Sequence, residues 1–257
     1  PASRRRIETQ LLHWDGQGWN PYTYRWRISD TEADLVSGEG TNDVLAVSDP
    51  AAPGKERPTP WRFASRAECL RCHNAWAGET LTLNWLQLNT RGSVSELRRF
   101  EELDLLRATN SPSPLPQLAG LADPTRPLAD RARSWLHVNC STCHRFGAGG
   151  GVAAQFKFDQ PLAEFRAVGL KPTRGDFGLA GARIIAPGDP QRSTLFYRIH
   201  TEGAGHMPYI GSRLVDDAGV RLVRDWIRSL PQESGSDTNA AVAQMIDTDN
   251  DRRIERL

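Results

Sequence analysis

The pentapeptide Cys-x-x-Cys-His occurs twice in this chain and uses all four of its cysteines. Two thiols at this spacing, with a histidine directly after the second, form the attachment pattern of c-type haem. The thiols make thioether bonds to the haem vinyl groups, and the histidine binds the iron. The predicted attachment residues are Cys69, Cys72 and His73 for haem 1 and Cys140, Cys143 and His144 for haem 2. The first expectation is therefore a fold that holds two large flat cofactors.

Two other kinds of site use the same residue types. Cys-x-x-Cys pairs bind zinc together with histidines, and cysteines form disulfides in an oxidising compartment. Disulfide formation does not explain why a histidine follows the second cysteine of each motif. Both alternatives stay open on the sequence.

The composition is that of an ordinary globular protein. Hydrophobic residues make up 39% of the 257 residues and charged residues 25%, which suits one large domain or two small ones. The net charge of +1 gives no argument for nucleic-acid binding, so we expect no nucleic-acid partner. No apolar run approaches the roughly 20 residues that span a bilayer, so we expect no membrane span in this chain.

Haem is attached to Cys-x-x-Cys-His outside the bacterial cytoplasm. We therefore expect a periplasmic or otherwise exported protein whose precursor carries an export signal. The sequence contains no such signal, and residues 240–257 have the pattern of a helical segment that stops without a cap. The expectation is a mature form or an excised piece, with a truncated tail at residues 232–257.

Alternating apolar and polar residues predict strands near the N-terminus. Residues 7–11 and 22–28 alternate in this way. Asp15 and Gly16 lie between the two runs and predict a hairpin turn. Residues 43–47 form a third, weaker strand candidate.

Prolines mark the connections between the predicted units. Residues 50–60 contain four prolines and indicate a linker. Residues 61–127 hold the first motif and end in a second proline-rich connection. Within them, Ser93 and Glu96 match a capping box that predicts a helix through about Leu106.

The second half of the chain is predicted to be mainly helical. One face of the helix that enters the second motif consists of Leu128, Ala132, Trp135 and Leu136. Two further helices are predicted, one after Asp189 with Leu195, Phe196 and Ile199 buried, and one capped by Asp216 or Asp217 with Val220, Val223, Ile227 and Leu230 facing inward. A loop with Met207 and Pro208 lies between them.

The order of these elements resembles a class I cytochrome c over residues 128–230. The resemblance implies that His144 is the proximal ligand of haem 2 and that Met207 is the distal ligand. A thioether ligand favours ferrous iron and raises the reduction potential. His206, next to Met207, is the competing ligand, and the expected solvent exposure of its side chain argues against it.

The first motif lacks this layout, because no methionine lies between His73 and Met207. A sixth ligand for haem 1 would then be a histidine. His137, on the helix that enters the second motif, is the first candidate, and a surface or hydrogen-bonded histidine explains it equally well. His13 in the N-terminal hairpin and His200 are the other candidates. A five-coordinate haem 1 also stays open.

Several short phrases, spread over most of the chain, resemble a family of exported haem-binding proteins common in planctomycetes. They include Glu68-Cys69-Leu70-x-Cys72-His73, Gln87-Leu88-Asn89, Trp135-Leu136-x-x-Asn139-Cys140-x-x-Cys143-His144, Pro187-Gly188-Asp189-Pro190-x-x-Ser193 and Met207-Pro208. The resemblance implies a bacterial module at the electron-accepting end of a larger chain. Such modules are sometimes fused to a quinoprotein sugar-dehydrogenase-like domain, and no such domain is recognisable in these 257 residues.

Together these features predict an α+β fold. The expected units are a β-rich antiparallel module at residues 1–60, a first haem segment at 61–127, a class I cytochrome c-like domain at 128–231 and the tail at 232–257. The expected function is exported dihaem electron transfer between a donor, such as a dehydrogenase, and an acceptor protein. The alternative is a dihaem peroxidase-like enzyme with an open haem 1. No set of acid–base residues for that reaction is recognisable, so we expect an electron carrier rather than an enzyme.

Overall fold

The computed structural model describes residues 4–49, 52–81, 84–89, 96–106, 116–211 and 214–232. Antiparallel sheets and helices are both present, which confirms the predicted α+β class. The strands are β1 (Glu8–Trp14), β2 (Trp19–Trp26), β3 (Ala33–Leu35), β4 (Thr41–Ser48) and β5 (Glu56–Phe63). The helices are α1 (Arg66–Leu70), α2 (Trp85–Leu88), α3 (Glu96–Glu102), α4 (Leu128–Cys140), α5 (Thr194–His200) and α6 (Asp217–Ser229). The described strands precede the first motif, and the two longest described helices follow it.

The predicted N-terminal hairpin is present. β1 pairs antiparallel with β2 along its whole length, and β3 pairs with the other edge of β2. At the turn, the Asp15 N–H donates to the Gly18 carbonyl oxygen at 3.2 Å. The Asp15 carboxylate accepts the backbone N–H groups of Gln17 and Gly18 at 2.8 and 2.9 Å. An aspartate that bonds to the backbone of its own turn in this way stabilises the reversal.

The two faces of β2 are buried to different extents. The aromatic face is only partly buried at Tyr24, whereas Thr23 on the opposite face is 5% exposed. The segment that leads to the first motif covers that face, and the Thr23 hydroxyl donates to the Ala64 carbonyl oxygen at 3.3 Å. The strand ends at Trp26 rather than at Ile28, which is 88% exposed.

The linker predicted at residues 50–60 is wrong. Residues Glu56–Phe63 form β5, which pairs antiparallel with β4. Pro58 and Pro60 are tolerated because this sheet has two strands, so each strand has an outer edge that needs no backbone N–H. The strand crosses the boundary expected at residue 60 and leads directly into the first-motif segment.

The helices of the second half form as predicted. α4 ends at the second motif, and Asp216 caps α6 by accepting the N–H groups of Ala218 and Gly219 at 3.2 and 3.1 Å. α5 begins after Ser193, because Asp189 caps a short 3-10 turn that precedes it. A carboxylate at this position satisfies N–H groups that have no partner within the helix.

One apolar core joins these helices. α4 packs on α6, and α5 packs on α6 as well. The buried core residues are Ala132, Leu136, Ala154, Phe156, Phe165, Ala167, Ile185, Leu195, Phe196, Ile199, Leu222, Val223, Trp226 and Ile227. Burial of a large apolar side chain contributes roughly 1.5–3 kcal/mol. The core therefore fixes the C-terminal end of α4 and, with it, the start of the second motif.

Some expectations fall outside the described residues. Ser93, the expected capping residue, is one of them, although the helix it was expected to start is present as α3 and ends at Glu102 rather than Leu106. The tail lies outside the described residues from position 233 onward. Within the described parts of the chain, no helix is long and apolar enough to cross a membrane.

Candidate cofactor site

A cavity of about 640 Å³ lies beside the second motif. The predicted haem 2 residues Cys140, Cys143, His144 and Met207 all line it. Much of the remaining wall is apolar and includes Val152, Ala154, Phe156, Ile184, Leu195 and Ile199. The volume lies within the roughly 300–1,000 Å³ that is typical of ligand and cofactor pockets. The structure therefore brings the four predicted residues together around a space of suitable size.

His144 is held at the end of α4. Its backbone N–H donates to the Cys140 carbonyl oxygen at 2.8 Å, and its ring lies edge-on to Phe156 with the centroids 5.5 Å apart. The Nδ1 atom is buried and makes no hydrogen bond of standard geometry. Burial lowers the pKa of His144, and an interaction with the Ala154 backbone opposes the lowering. A neutral imidazole is the form that binds a metal ion.

Met207 lies on the loop between α5 and α6. Its backbone N–H donates to the Arg198 carbonyl oxygen at 2.9 Å. The Arg198 guanidinium donates to the carbonyl oxygen of Gly205, on the same loop, at 3.2 Å. These two bonds fasten the loop to α5 and hold Met207 at the cavity wall.

Arg174 and Arg198 bring positive charge to this largely apolar wall. The Arg198 guanidinium donates to the Arg174 carbonyl oxygen at 3.0 Å and lies 4.5 Å from the Phe177 ring centroid. Burial lowers the pKa of Arg198, but a guanidinium keeps its proton in proteins. Guanidinium groups bind carboxylates in a bidentate manner, and haem propionates are carboxylates. The sequence did not identify these residues, because neither belongs to a motif.

α1 carries the start of the first motif. Ser65 and Glu68 form a capping box, with backbone-to-side-chain distances of 3.1 and 2.8 Å. Arg62 of β5 forms an ion pair with the same Glu68 carboxylate at 2.9 Å. The sheet therefore positions the N-terminus of the helix that contains Cys69.

His73 follows α1. Its Nδ1 lies 2.7 Å from the Glu79 carbonyl oxygen. Because a carbonyl oxygen only accepts, this bond places the ring proton on Nδ1 and leaves the Nε2 lone pair free. Metal-binding histidines in proteins are oriented in the same way. The 640 Å³ cavity is lined by Arg71 and Cys72 of the first motif, and His73 is not part of its lining.

The two motifs meet in space, although Cys72 and Cys143 lie 71 positions apart in the chain. The sulfur atoms of these two residues are 2.8 Å apart. The close contact between these two thiols lowers the pKa of Cys143 and raises that of Cys72. Burial raises the pKa of Cys140 to about 12 and also raises that of Cys69.

A glycine-rich loop permits this meeting of the motifs. A Cβ at Gly149 would overlap the carbonyl oxygen of Arg71. Gly147, with φ +78°, lies against Trp76, where a Cβ would be 2.8 Å from the carbonyl oxygen. The sequence predicted a flexible loop at residues 147–151. The structure shows that its glycines allow two backbones to approach closely, which no residue with a Cβ can do at this distance.

His137 does not line the 640 Å³ cavity. It is 4% exposed, and its Nδ1 accepts the backbone N–H of Phe158 at 3.2 Å. This bond places the ring proton on Nε2, and burial lowers the pKa of His137. A protonated Nε2 offers no lone pair to iron, so the hydrogen-bonded alternative accounts for His137 better than a ligand role. The residue lines a smaller cavity of about 230 Å³ together with Leu81 and Trp85 of the first haem segment.

The other candidate histidines also lie outside the cavity lining. His13 is exposed on β1, and His200 is exposed at the end of α5. The expected exposure of His206 is wrong, because this side chain is 8% exposed and its Nδ1 lies 2.7 Å from the Thr201 carbonyl oxygen. Position at the cavity, rather than exposure, therefore favours Met207 over His206.

Within the described residues, which include both motifs, no group of three or more His, Cys, Asp or Glu side chains is arranged to hold a metal ion. A structural zinc site needs four such ligands, so the arrangement does not favour the zinc alternative. A c-type haem takes a single histidine on one face of its iron, and this finding leaves the haem prediction unchanged.

No protein-family model, no curated protein and no solved structure matches the chain. The fold and the site define an α+β protein with a cofactor-sized cavity between a Cys-x-x-Cys-His motif and a methionine-bearing loop.

Proposed function

We propose that this chain is a dihaem c-type cytochrome module that transfers electrons. The observation that carries the proposal is the shared lining of one cavity by Cys140, Cys143, His144 and Met207. These residues are the two attachment thiols and the two axial ligands that a His/Met-ligated c-type haem requires. Met207 lies far from the motif in sequence, so only the fold brings this residue to the same cavity.

The residues around the cavity fit this role. The core fixes α4, so the thiols and His144 start from a rigid position, and the bonds to Arg198 hold the Met207 loop. The apolar wall would shield a haem bound here from water, and the guanidinium groups of Arg174 and Arg198 would be available to pair with its propionates. When bound, a c-type haem supplies one-electron transfer at its iron.

The case for haem 1 rests on the motif and on one hydrogen bond. The bond to Glu79 leaves Nε2 of His73 free for iron. The Nε2 proton of His137 leaves the sixth position of haem 1 to His13, to His200 or to no side chain.

An electron carrier needs a donor and an acceptor. We place both among redox partner proteins, with a fused or associated dehydrogenase as the donor. The compartment is the periplasm or another exported location, since haem is attached to this motif there. Trp76 and Phe146, close to the two motifs in sequence, are 81% and 80% exposed. Where such side chains form a contiguous patch, they are typical of surfaces that contact other proteins.

A haem count tests the proposal. The chain is produced in a host that attaches haem to exported proteins, and haem per polypeptide is measured from the pyridine haemochrome absorbance. Wild type is expected to carry two haems. The Cys69→Ser/Cys72→Ser and Cys140→Ser/Cys143→Ser variants are expected to carry one each.

The outcomes separate the two halves of the proposal. A wild-type chain with no haem contradicts it entirely. A single haem that is lost only in the second-motif variant rejects haem 1. The ferric spectrum then tests the peroxidase-like alternative, because a high-spin haem 1 has an open position for peroxide and a low-spin haem 1 has none.

A further inference from the structure

We propose that Cys72 and Cys143 form a disulfide in the haem-free chain, and that this reversible modification blocks haem attachment at both motifs. The blocking role rests on the proposed haem function. The disulfide itself depends only on the contact between the two thiols.

Contacts on either side hold the two thiols together. Gly149 lies against the carbonyl oxygen of Arg71, the residue directly before Cys72. Arg145, two residues after Cys143, donates to the carbonyl oxygen of Ala77. The chain positions differ by 71, so proximity in sequence does not explain the 2.8 Å separation of the sulfur atoms. The fold brings them together.

The two sulfur atoms are close to bonding distance. All four cysteines are free thiols in this structure. A disulfide has a sulfur–sulfur distance of about 2.0 Å, so the Cys72 and Cys143 side chains need to move by less than about 1 Å to form one.

Formation of the Cys72–Cys143 bond requires an oxidant, and a second disulfide can accept the two electrons that are released. A thiolate of the pair attacks the oxidant and forms a mixed disulfide, and the second thiol of the pair then displaces the oxidant's remaining sulfur. The pair loses two protons and two electrons and gains one S–S bond. The oxidant, a small-molecule disulfide or the disulfide of an oxidoreductase, becomes two thiols. Oxidising compartments supply such oxidants.

The bond has a direct consequence for both motifs. A sulfur atom in a disulfide cannot also form a thioether. With Cys72 and Cys143 joined, each motif retains one thiol, and neither can make its two bonds to a haem. Reduction of this one bond releases both motifs together, so their loading is coupled.

Peptide mapping of the full, haem-free chain tests the disulfide. The reduced chain is equilibrated with oxidised glutathione, remaining thiols are alkylated, and trypsin digestion is carried out without reductant. Cleavage after Arg71 separates Cys69 from Cys72, so a cross-link between peptides 72–91 and 134–145 identifies Cys72. This cross-link is expected to be the main disulfide product.

Two matched double variants show which cysteine of peptide 134–145 is bonded to Cys72. Cys69→Ser/Cys140→Ser is expected to keep the cross-link, and Cys72→Ser/Cys143→Ser is expected to lose it. The yield should fall several-fold in concentrated guanidinium chloride, because the fold supplies the proximity. Disulfides confined within each motif, or equal yields with and without denaturant, overturn the proposal.

A second measurement tests the blocking role. The oxidised and the reduced chain are each incubated with ferrous haem, and covalent haem is counted. The oxidised chain is expected to take up less haem at both motifs, and equal uptake contradicts the blocking role. If the mature protein carries haem but the haem-free chain does not form the cross-link with oxidised glutathione, the disulfide alone is rejected. The cross-link in a chain that never carries haem keeps the disulfide and rejects the proposed function.

Discussion

The backbone of Gly149 lies directly against the carbonyl oxygen of Arg71, so the loop after the second motif is in contact with the first motif. The Arg71 guanidinium also lies 5.5 Å from the ring centroid of Tyr209, two residues beyond Met207. The first motif therefore touches both the attachment loop and the methionine loop of the second. The segments that carry the two motifs are therefore in direct contact in the fold.

Because of this contact, we expect any side chain at position 149 to reduce the stability of the fold. Gly149→Ala is expected to lower the free energy of unfolding by about 1–3 kcal/mol, the range for overpacking a close contact. Gly151→Ala is the matched control, since the nearest atom to its Cβ is the end of the Arg174 side chain at 3.8 Å. Denaturant unfolding of both variants checks the prediction. Equal stability of the two variants contradicts it.

At Gly219 on α6, we expect substitution by alanine to destabilise the protein, although alanine favours helix formation. Alanine is the better helix former by about 1 kcal/mol, but a Cβ at this position would overlap the indole ring of Trp135. The indole also donates to Asp216 at 2.8 Å and cannot leave without breaking that bond. Gly219→Ala is therefore expected to destabilise the wild-type chain by about 1–3 kcal/mol.

The same substitution is expected to change sign when the indole is absent. In a Trp135→Ala background, Gly219→Ala should stabilise by about 0.5–1 kcal/mol, because only the helix preference remains. A double-mutant cycle of thermal or denaturant unfolding measures the coupling. Additive effects of the two substitutions are incompatible with the contact.

The titration of buried His137 is expected to make the stability of the haem-free chain depend on pH. Burial lowers its pKa in the folded state, so between that value and the ordinary value of about 6.5 the unfolded chain binds more protons. Its contribution to stability is complete above about pH 6.5 and is lost as the pH falls through the lowered pKa.

The His137→Asn variant is expected to flatten this slope. His13→Asn, at an exposed position on β1, is the matched control and should keep the wild-type slope. The free energy of unfolding, measured between about pH 7 and pH 5 around the ordinary histidine pKa, gives the comparison. A slope unchanged by His137→Asn shows that the pH dependence arises elsewhere.

The proposed ligation of haem 2 by Met207 predicts a raised reduction potential for that haem. The thioether ligand raises the reduction potential of haem iron, so Met207→Leu is expected to lower one of the two potentials and leave the haem count unchanged. The chain's other methionine provides the control Met245→Leu, which should have no effect. A spectroelectrochemical titration reads both potentials. If Met207→Leu leaves both in place, the sixth ligand is another group.

The sequence predicted those features that depend on spacing or periodicity. The two motifs identify the candidate thiol and imidazole groups directly. The 3.6-residue period of the apolar residues in α4 and α6 indicates which of their side chains face the core. Met207 was singled out as a candidate ligand because methionine is rare in this chain and this one lies on the loop between two predicted helices, and the structure places it at the cavity.

Features that depend on tertiary contacts were missed. β5 was assigned to a linker because Pro58 and Pro60 are poor strand residues, and only the two-stranded sheet makes them acceptable. The burial of His206 and the place of Arg198 at the cavity depend on which loops pack together. No local pattern in the sequence indicates that Cys72 and Cys143 are neighbours.

The most direct test of the central claim is the intact mass of the denatured protein after production in a haem-attaching, exporting host. Covalent attachment at both motifs predicts a polypeptide heavier by two haems, which survives denaturation because thioether bonds hold it. A polypeptide at its bare mass, with any haem lost on denaturation, contradicts the account.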